Sequence, residues 1–343
     1  MTGWQIKDKG EVEKVEKTEQ FDKADSIKIK ILRSLVTEED VALFSGEYKD
    51  MEFPIIPGRM AIGRVSELGG LETDGKFNLQ SRLAFSPMRP CGECANCLGG
   101  KPQICYNPSI AGLTRDGFLK DFAVVMANEC YKLPDSVSDN DAVYLEYISL
   151  AISVIDRLGA EKGEPIVIFG SDVLSSIIAQ LAIYYQSVPI LVGENDNELV
   201  AAKRSGVYYT VKMSAKVEKE VSAVTGGKMI SKLVYVNRSG LSIETAFKLV
   251  TPSAKVVFAG YSYPNLKIQL PIAIQKNIDF CCVSNGYGNY APAINLLANK
   301  AIDFSQYNKS IIKIDAVEAN LTEMINDFKT KKKVKNMLVN MLG

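Results

Sequence analysis

Cys91, Cys94, Cys97 and Cys105 stand in the pattern C-x2-C-x2-C-x7-C, with glycines between them. Four thiolates brought together can complete a tetrahedral shell around one zinc ion, and a closed sulfur-only shell leaves no position for a substrate. The motif reads as a structural zinc site; reduced thiols, a disulfide pair or an iron site are the alternatives the spacing leaves open. Cys130, Cys281 and Cys282 sit in apolar, strand-like runs and read as small buried side chains. The chain contains no histidine. That excludes a Ser-His-Asp triad and any imidazole-held zinc, because histidine is the usual general base near neutral pH and the commonest metal ligand.

These residues must be positioned by a chain of 343 residues with 47% hydrophobic content, enough for two domains with separate cores. Up to about residue 147 the chain shows short β-rich runs, such as the period-two alternation of Ser26–Leu32, broken often by Gly and Pro. This predicts an irregular β-barrel interrupted by a cysteine lobe at about 88–108. From 148 to about 288 the pattern changes. The apolar run Pro165–Gly170, a helix over Ser175–Tyr185 and the strand Val188–Gly193 form a βαβ unit. Further strands are predicted at Lys232–Asn237, Ala254–Ala259 and Ile278–Val283, which together imply a doubly wound parallel sheet. The fold class is α/β plus β.

Charge narrows the partners. With 40 basic and 40 acidic residues the net charge is zero, so neither nucleic acid nor a membrane surface is favoured and small molecules are the expected ligands. The basic run Lys329–Lys335 reads as the solvated end of a helix. The charged N-terminus lacks the apolar stretch of a signal peptide and no run approaches a membrane span, which predicts a cytoplasmic protein.

With the four-cysteine lobe, several shorter stretches occur in a shared order: Pro57-Gly58, Gly63-Arg64-Val65, Arg115–Phe122, Lys132–Asp135 and Leu145–Leu150. In this the sequence resembles the zinc-containing medium-chain alcohol and polyol dehydrogenases, including sorbitol and threonine dehydrogenases. The resemblance implies a GroES-like barrel carrying the zinc lobe, a Rossmann domain, and a segment 289–343 returning to the first domain. It further implies a homodimer or homotetramer, with a small-molecule ligand in the interdomain cleft.

The resemblance also implies a catalytic zinc, and here the chain departs from the family. The slot for a Cys ligand holds Thr37, the slot for a proton-relaying hydroxyl holds Glu39, and the His-Glu pair after Pro57-Gly58 is replaced by Arg59 and Met60. Glu146 alone matches a ligand slot. Arginine does not deprotonate to bind metal and a thioether is a poor zinc ligand. The expectation is no catalytic zinc, with Arg59 placing its guanidinium in the vacated position and pairing with Glu146 and Glu39. A fixed cation of this kind can also polarise a carbonyl or hold an anionic ligand.

The turn after the first parallel strand should read G-x-G-x-x-G, and reads Gly170-Ser171-Asp172-Val173-Leu174-Ser175. Asp172 puts a carboxylate where two phosphate charges would approach, and Asp172 or Ser171 is expected to cap the helix internally. The acid that binds a ribose diol should end the second strand. That slot is Gly193, followed by Glu194, which is the candidate replacement. Neighbouring Asn195 and Asp196 add to the case against NADPH. Two functions remain: an NAD(H)-linked alcohol/carbonyl oxidoreductase that works without catalytic zinc, with Tyr147 or Glu39 handling protons, or a silent relative that binds a partner or small ligand.

Overall fold

In the first part of the chain the strand Ser26–Val36 organises everything else. Ile27, Ile29 and Ile31 are fully buried while Lys30 is exposed and Lys28 partly so, which is the expected alternation of a strand with one face on a core. One edge pairs with Met60–Leu68 through two register shifts. The other edge is shared: Phe122–Met126 pairs with its first half and Met337–Asn340 with its second. A seven-stranded sheet results, in the order Ile311–Lys313, Met337–Asn340, Ser26–Val36, Met60–Leu68, Arg82–Phe85, Cys130–Lys132, with Phe122–Met126 beside the long strand. Irregular pairing of this kind bends a sheet toward a barrel. Phe44, Phe85, Phe118 and Leu119 fill its interior.

The computed structural model describes residues 1–8, 10–21, 25–69, 76–236, 242–261, 266, 268, 270–307 and 310–342. Two units emerge, Met1–Glu146 with Ser310–Gly343, and Tyr147–Lys309. The second holds six parallel strands in the order Tyr209–Lys212, Val188–Gly193, Pro165–Phe169, Ile230–Val236, Val250–Ala259, Asp279–Val283. Ile166, Val167, Ile168 and Phe169 are all fully buried, as strands covered on both faces must be. The order reverses direction at Pro165–Phe169, and ligands of such sheets bind outside the carboxyl ends of the strands at that reversal. Among the described residues no helix is long and apolar enough to cross a membrane.

Two expectations are corrected and one strand is added. Residues 289–309 do not return to the first domain. The helix Tyr290–Ala298 is held in the second unit, where Asn289 Nδ2 donates to Ser153 Oγ at 2.9 Å and Gly286 lies so close to the backbone of Ser149 and Leu150 that a Cβ would come within 2.4 Å of the Leu150 nitrogen. The return begins at Ser310. Cys130 is buried, but Cys281 is only partly so and Cys282 is exposed, because Asp279–Val283 is an edge strand. The short strand Tyr209–Lys212 was not predicted; only Val211 is buried on it, so it carries almost no apolar signal. Predicted strand residue Asn237 lies outside the described residues. The basic run behaves as read: the helix Val317–Lys329 ends there and Lys331, Lys332, Lys333 and Lys335 are exposed.

Since Leu321, Ile325 and Val339 belong to the first core, a chain stopped after residue 309 should lose the thermal transition of the first unit and keep that of the second. Calorimetry of the truncated and full chains checks this; an unchanged first transition would contradict the shared-edge topology.

Candidate functional site

The turn Pro57-Gly58 is clamped from one side by the segment that follows Asp116. Gly117 N donates to Ile56 O at 2.6 Å, Phe118 N to Gly58 O at 2.8 Å and Leu119 N to Pro57 O at 3.1 Å. A Cβ at position 117 would lie 2.5 Å from the carbonyl oxygens of both Pro57 and Gly58, so only glycine permits this approach. The clamp fixes Arg59, whose side chain is turned wholly inward at 1% exposed.

Arg59 meets the helix Glu38–Ala42. Thr37 caps that helix by a reciprocal box: its hydroxyl accepts from Asp40 N, while its own N–H and hydroxyl donate to Asp40 Oδ2 at 2.8 and 2.9 Å. The cap turns the other Asp40 oxygen to Arg59, whose Nε donates to Oδ1 at 2.9 Å, and Arg59 Nη2 donates to Glu39 Oε2 at 2.7 Å. All three charged groups are buried. The expected bond to Glu39 forms, and the Nε partner is Asp40, which was not among the expected partners. Glu146 is buried in the first turn of the helix Leu145–Leu158.

A catalytic zinc does not fit this donor set. Thr37 is spent on its cap, Met60 offers a thioether, and a guanidinium bonded to two carboxylates fills the space behind the Pro57-Gly58 turn. Arg59 is bonded to both carboxylates from this buried position. It holds Glu39 and Asp40 in place and compensates charges that would otherwise be stranded in a dry interior.

In the second unit Gly170 follows the strand Pro165–Phe169 with φ +140, and a Cβ there would fall 2.4 Å from Ser175 Oγ. The helix Val173–Tyr184 is capped by Asp172, whose Oδ1 accepts from Ser175 N at 2.8 Å and from Ser175 Oγ at 2.6 Å. Internal capping by Asp172 thus occurs as read. Ser171 does something else: its hydroxyl donates to Glu198 Oε2 at 2.7 Å. A Cβ on Gly193 would lie 2.3 Å from Ser171 Cβ, so the missing acid at that position makes room for this serine. Glu194 is exposed, and Glu198, one turn into the helix Asp196–Arg204, is the carboxylate drawn over the strand ends.

Sequence reasoning missed Glu198 and Asp40, and took Ser171 for a candidate helix cap where its hydroxyl bonds Glu198. For Glu198 a signal existed. Asn195 accepts from Asn197 N and Glu198 N, so identifying Asn195 as the helix cap puts Glu198 on the first turn, facing the strand end. The Tyr307 hydroxyl is pushed up to about 12, first by burial and also by the negative charges of Asp172, Glu198 and Asp303.

The four cysteines converge. Their Sγ atoms all lie within 4.8 Å of one another, with Cys91–Cys97 at 3.9 Å, Cys94–Cys105 at 4.0 Å and Cys91–Cys105 at 3.4 Å. A disulfide needs about 2.05 Å, whereas ligands about 2.3 Å from a tetrahedral zinc sit about 3.8 Å apart. The spacing fits zinc. The lobe is closed at its base by Met88–Arg89 pairing with Ser109–Ile110. Backbone N–H groups of Tyr106 and Cys97 lower the Cys94 thiol to about 6, while desolvation pushes the Cys97 thiol up to about 12, so the convergence of the four sulfurs carries the zinc reading.

Residues 23–135 match the alcohol dehydrogenase GroES-like domain family. A zinc-type alcohol dehydrogenase-like protein of Haemophilus influenzae is 22% identical over 286 residues, 83% of each chain. D-xylulose reductase A of Aspergillus oryzae is 22% identical over 293 residues, 83% of this chain and 80% of that one. The crystal structure of the Escherichia coli alcohol dehydrogenase RspB in complex with NADH superposes with a TM-score of 0.85 at 21% identity, covering 99% of both chains. Residues 23–135 thus carry a GroES-like domain of the alcohol dehydrogenase type, and the chain as a whole is similar in sequence to zinc-type alcohol and polyol dehydrogenases and shares the fold of the solved ones.

Two measurements test the site. Metal analysis should find about one zinc per chain, lost in Cys94→Ser; close to two would reveal a second site and contradict the reading of Arg59. Arg59→Met strands two buried carboxylates and should cost about 3–5 kcal/mol of stability in denaturant unfolding. Adding Glu39→Gln and Asp40→Asn should recover part of that loss.

Proposed function

We propose that the protein is an NAD(H)-linked oxidoreductase interconverting an alcohol or polyol with its carbonyl, and that it does so without a catalytic zinc. The observation that carries the reading is the turn at the reversal point of the parallel sheet: Gly170 keeps the backbone open there, and Ser171 and Glu198 line it with hydrogen-bonding oxygen atoms. The GroES-like domain match over residues 23–135 supports it, as do the D-xylulose reductase activity named for one relative and the NADH held by one structural neighbour.

The cofactor supplies the hydride when bound. This chain's residues do the rest. Gly170 and the first turn of the helix Val173–Tyr184 receive the dinucleotide. Tyr147 or Glu39 exchanges the proton of the substrate hydroxyl, while Arg59 keeps Glu39 in position through its 2.7 Å bond. The structural zinc holds the cysteine lobe and takes no part in the reaction. A cytoplasmic location, a small-molecule substrate and a homo-oligomer complete the proposal.

Asp172 works against the cofactor, since it takes a donor from the helix N-terminus and sets a carboxylate at the turn where a pyrophosphate would bind. NADH titration by calorimetry should give micromolar binding to the wild type. Asp172→Gly should tighten it roughly tenfold while losing about 1 kcal/mol of stability with the cap. Absence of binding at millimolar NADH would sink the proposal and favour a silent, ligand-binding relative.

A further inference from the structure

We infer that Glu198, held by Ser171, is the residue that reads the adenosine ribose and makes this site selective for NAD(H) over NADP(H); the inference rests on the oxidoreductase reading above. Three observations lead to it. Gly193 ends the strand Val188–Gly193, next to Pro165–Phe169 in the sheet, and is the point from which a side chain would ordinarily reach a ligand lying across the strand ends. It carries no side chain, and none would fit: the space is taken by Ser171, whose Cβ and Oγ would lie 2.3 and 2.4 Å from a Cβ at 193. Ser171 is itself only 7% exposed, so its hydroxyl is fixed, and it donates at 2.7 Å to Glu198 Oε2. The serine has displaced the strand-end side chain and brought in a carboxylate from the neighbouring helix.

The chemistry of that carboxylate sets the preference. An ionised carboxylate has about four acceptor sites. One takes the Ser171 proton, and others suit the two adjacent hydroxyls of a ribose diol, each donating one hydrogen bond. A 2′-phosphate offers no such proton and brings about two negative charges, against a carboxylate that Ser171 prevents from swinging away. Nearby charge reinforces this. Asp196 engages Lys212 at 2.6 Å, so that lysine is already committed to a carboxylate. Burial first, and then the charges of Asp172, Glu198 and Asp303, raise the Tyr307 hydroxyl. Glu194, the candidate from the sequence, is exposed and is not needed for the argument.

The test is calorimetric titration of the full zinc-loaded chain with NADH and with NADPH, for the wild type, Glu198→Gln and Ser171→Ala, with melting temperatures alongside. The wild type should bind NADH at least tenfold more tightly than NADPH. Glu198→Gln should weaken NADH roughly tenfold, the size of a lost charge-assisted hydrogen bond, and should tighten NADPH, so that the preference collapses. Ser171→Ala should move the ratio the same way by a smaller factor, because the carboxylate stays but loses its tether. NADH binding with an unchanged NADH to NADPH ratio in Glu198→Gln would overturn the inference and leave the oxidoreductase reading standing. Equal weakening of both cofactors with a lowered melting temperature would also overturn it, marking Glu198 as structural. A wild type that binds neither dinucleotide overturns both.

Discussion

A guanidinium cannot be left alone in a dry interior, and Arg59 is 1% exposed. Much of the first unit's local architecture answers that requirement. The Thr37 cap orients one Asp40 oxygen inward, the helix Glu38–Ala42 delivers Glu39 alongside it, and the Gly117 clamp on Pro57-Gly58 prevents the arginine from turning out. The charges are fixed covalently, whereas a bound metal ion comes and goes. This removes any dependence of this corner on metal supply. It also makes the corner unforgiving, since each partner is buried and none can be lost without stranding another.

The same substitution of internal bonds for external ones occurs at the strand ends of the second unit. Asp172 satisfies a helix donor that a phosphate could have used, and Ser171 spends a hydroxyl on Glu198. Both contacts lie beyond the ends of the strands and leave the parallel sheet intact. The chain therefore keeps a dinucleotide-type framework with a more acidic, more self-contained rim, and its ligand must pay for displacing or accommodating those contacts.

How much of this was legible beforehand depended on whether a signal was local. The alternation of Ile27, Ile29 and Ile31 and the continuous apolar run Ile166–Phe169 announced the two kinds of sheet directly, and the four cysteines announced their lobe. Asp172 was readable as a cap because N-capping is decided within a turn of chain. Asp40 was not read as a partner of Arg59, since its role depends on the Thr37 cap aiming one oxygen across to a residue far along the sequence. Ser171 and Glu198 meet across two loops, and the traces of this are the absence of a side chain at Gly193 and the Asn195 cap that places Glu198 on the first helical turn. The domain return at 310 rather than 289 was set by packing around Gly286 and Asn289, which no periodicity encodes.

The second unit is inserted into the first, and that has a consequence for biosynthesis. Residues 310–342, which supply the strand Met337–Asn340 and the core residues Leu321 and Ile325, emerge only after the whole of 147–309 has been made. Until then the edge of Ser26–Val36 from Arg33 to Val36 lacks its partner strand on the nascent chain. The later-encoded domain can therefore close first, while the earlier one waits with an open β-edge, the kind of surface on which chains aggregate and which chaperones cover.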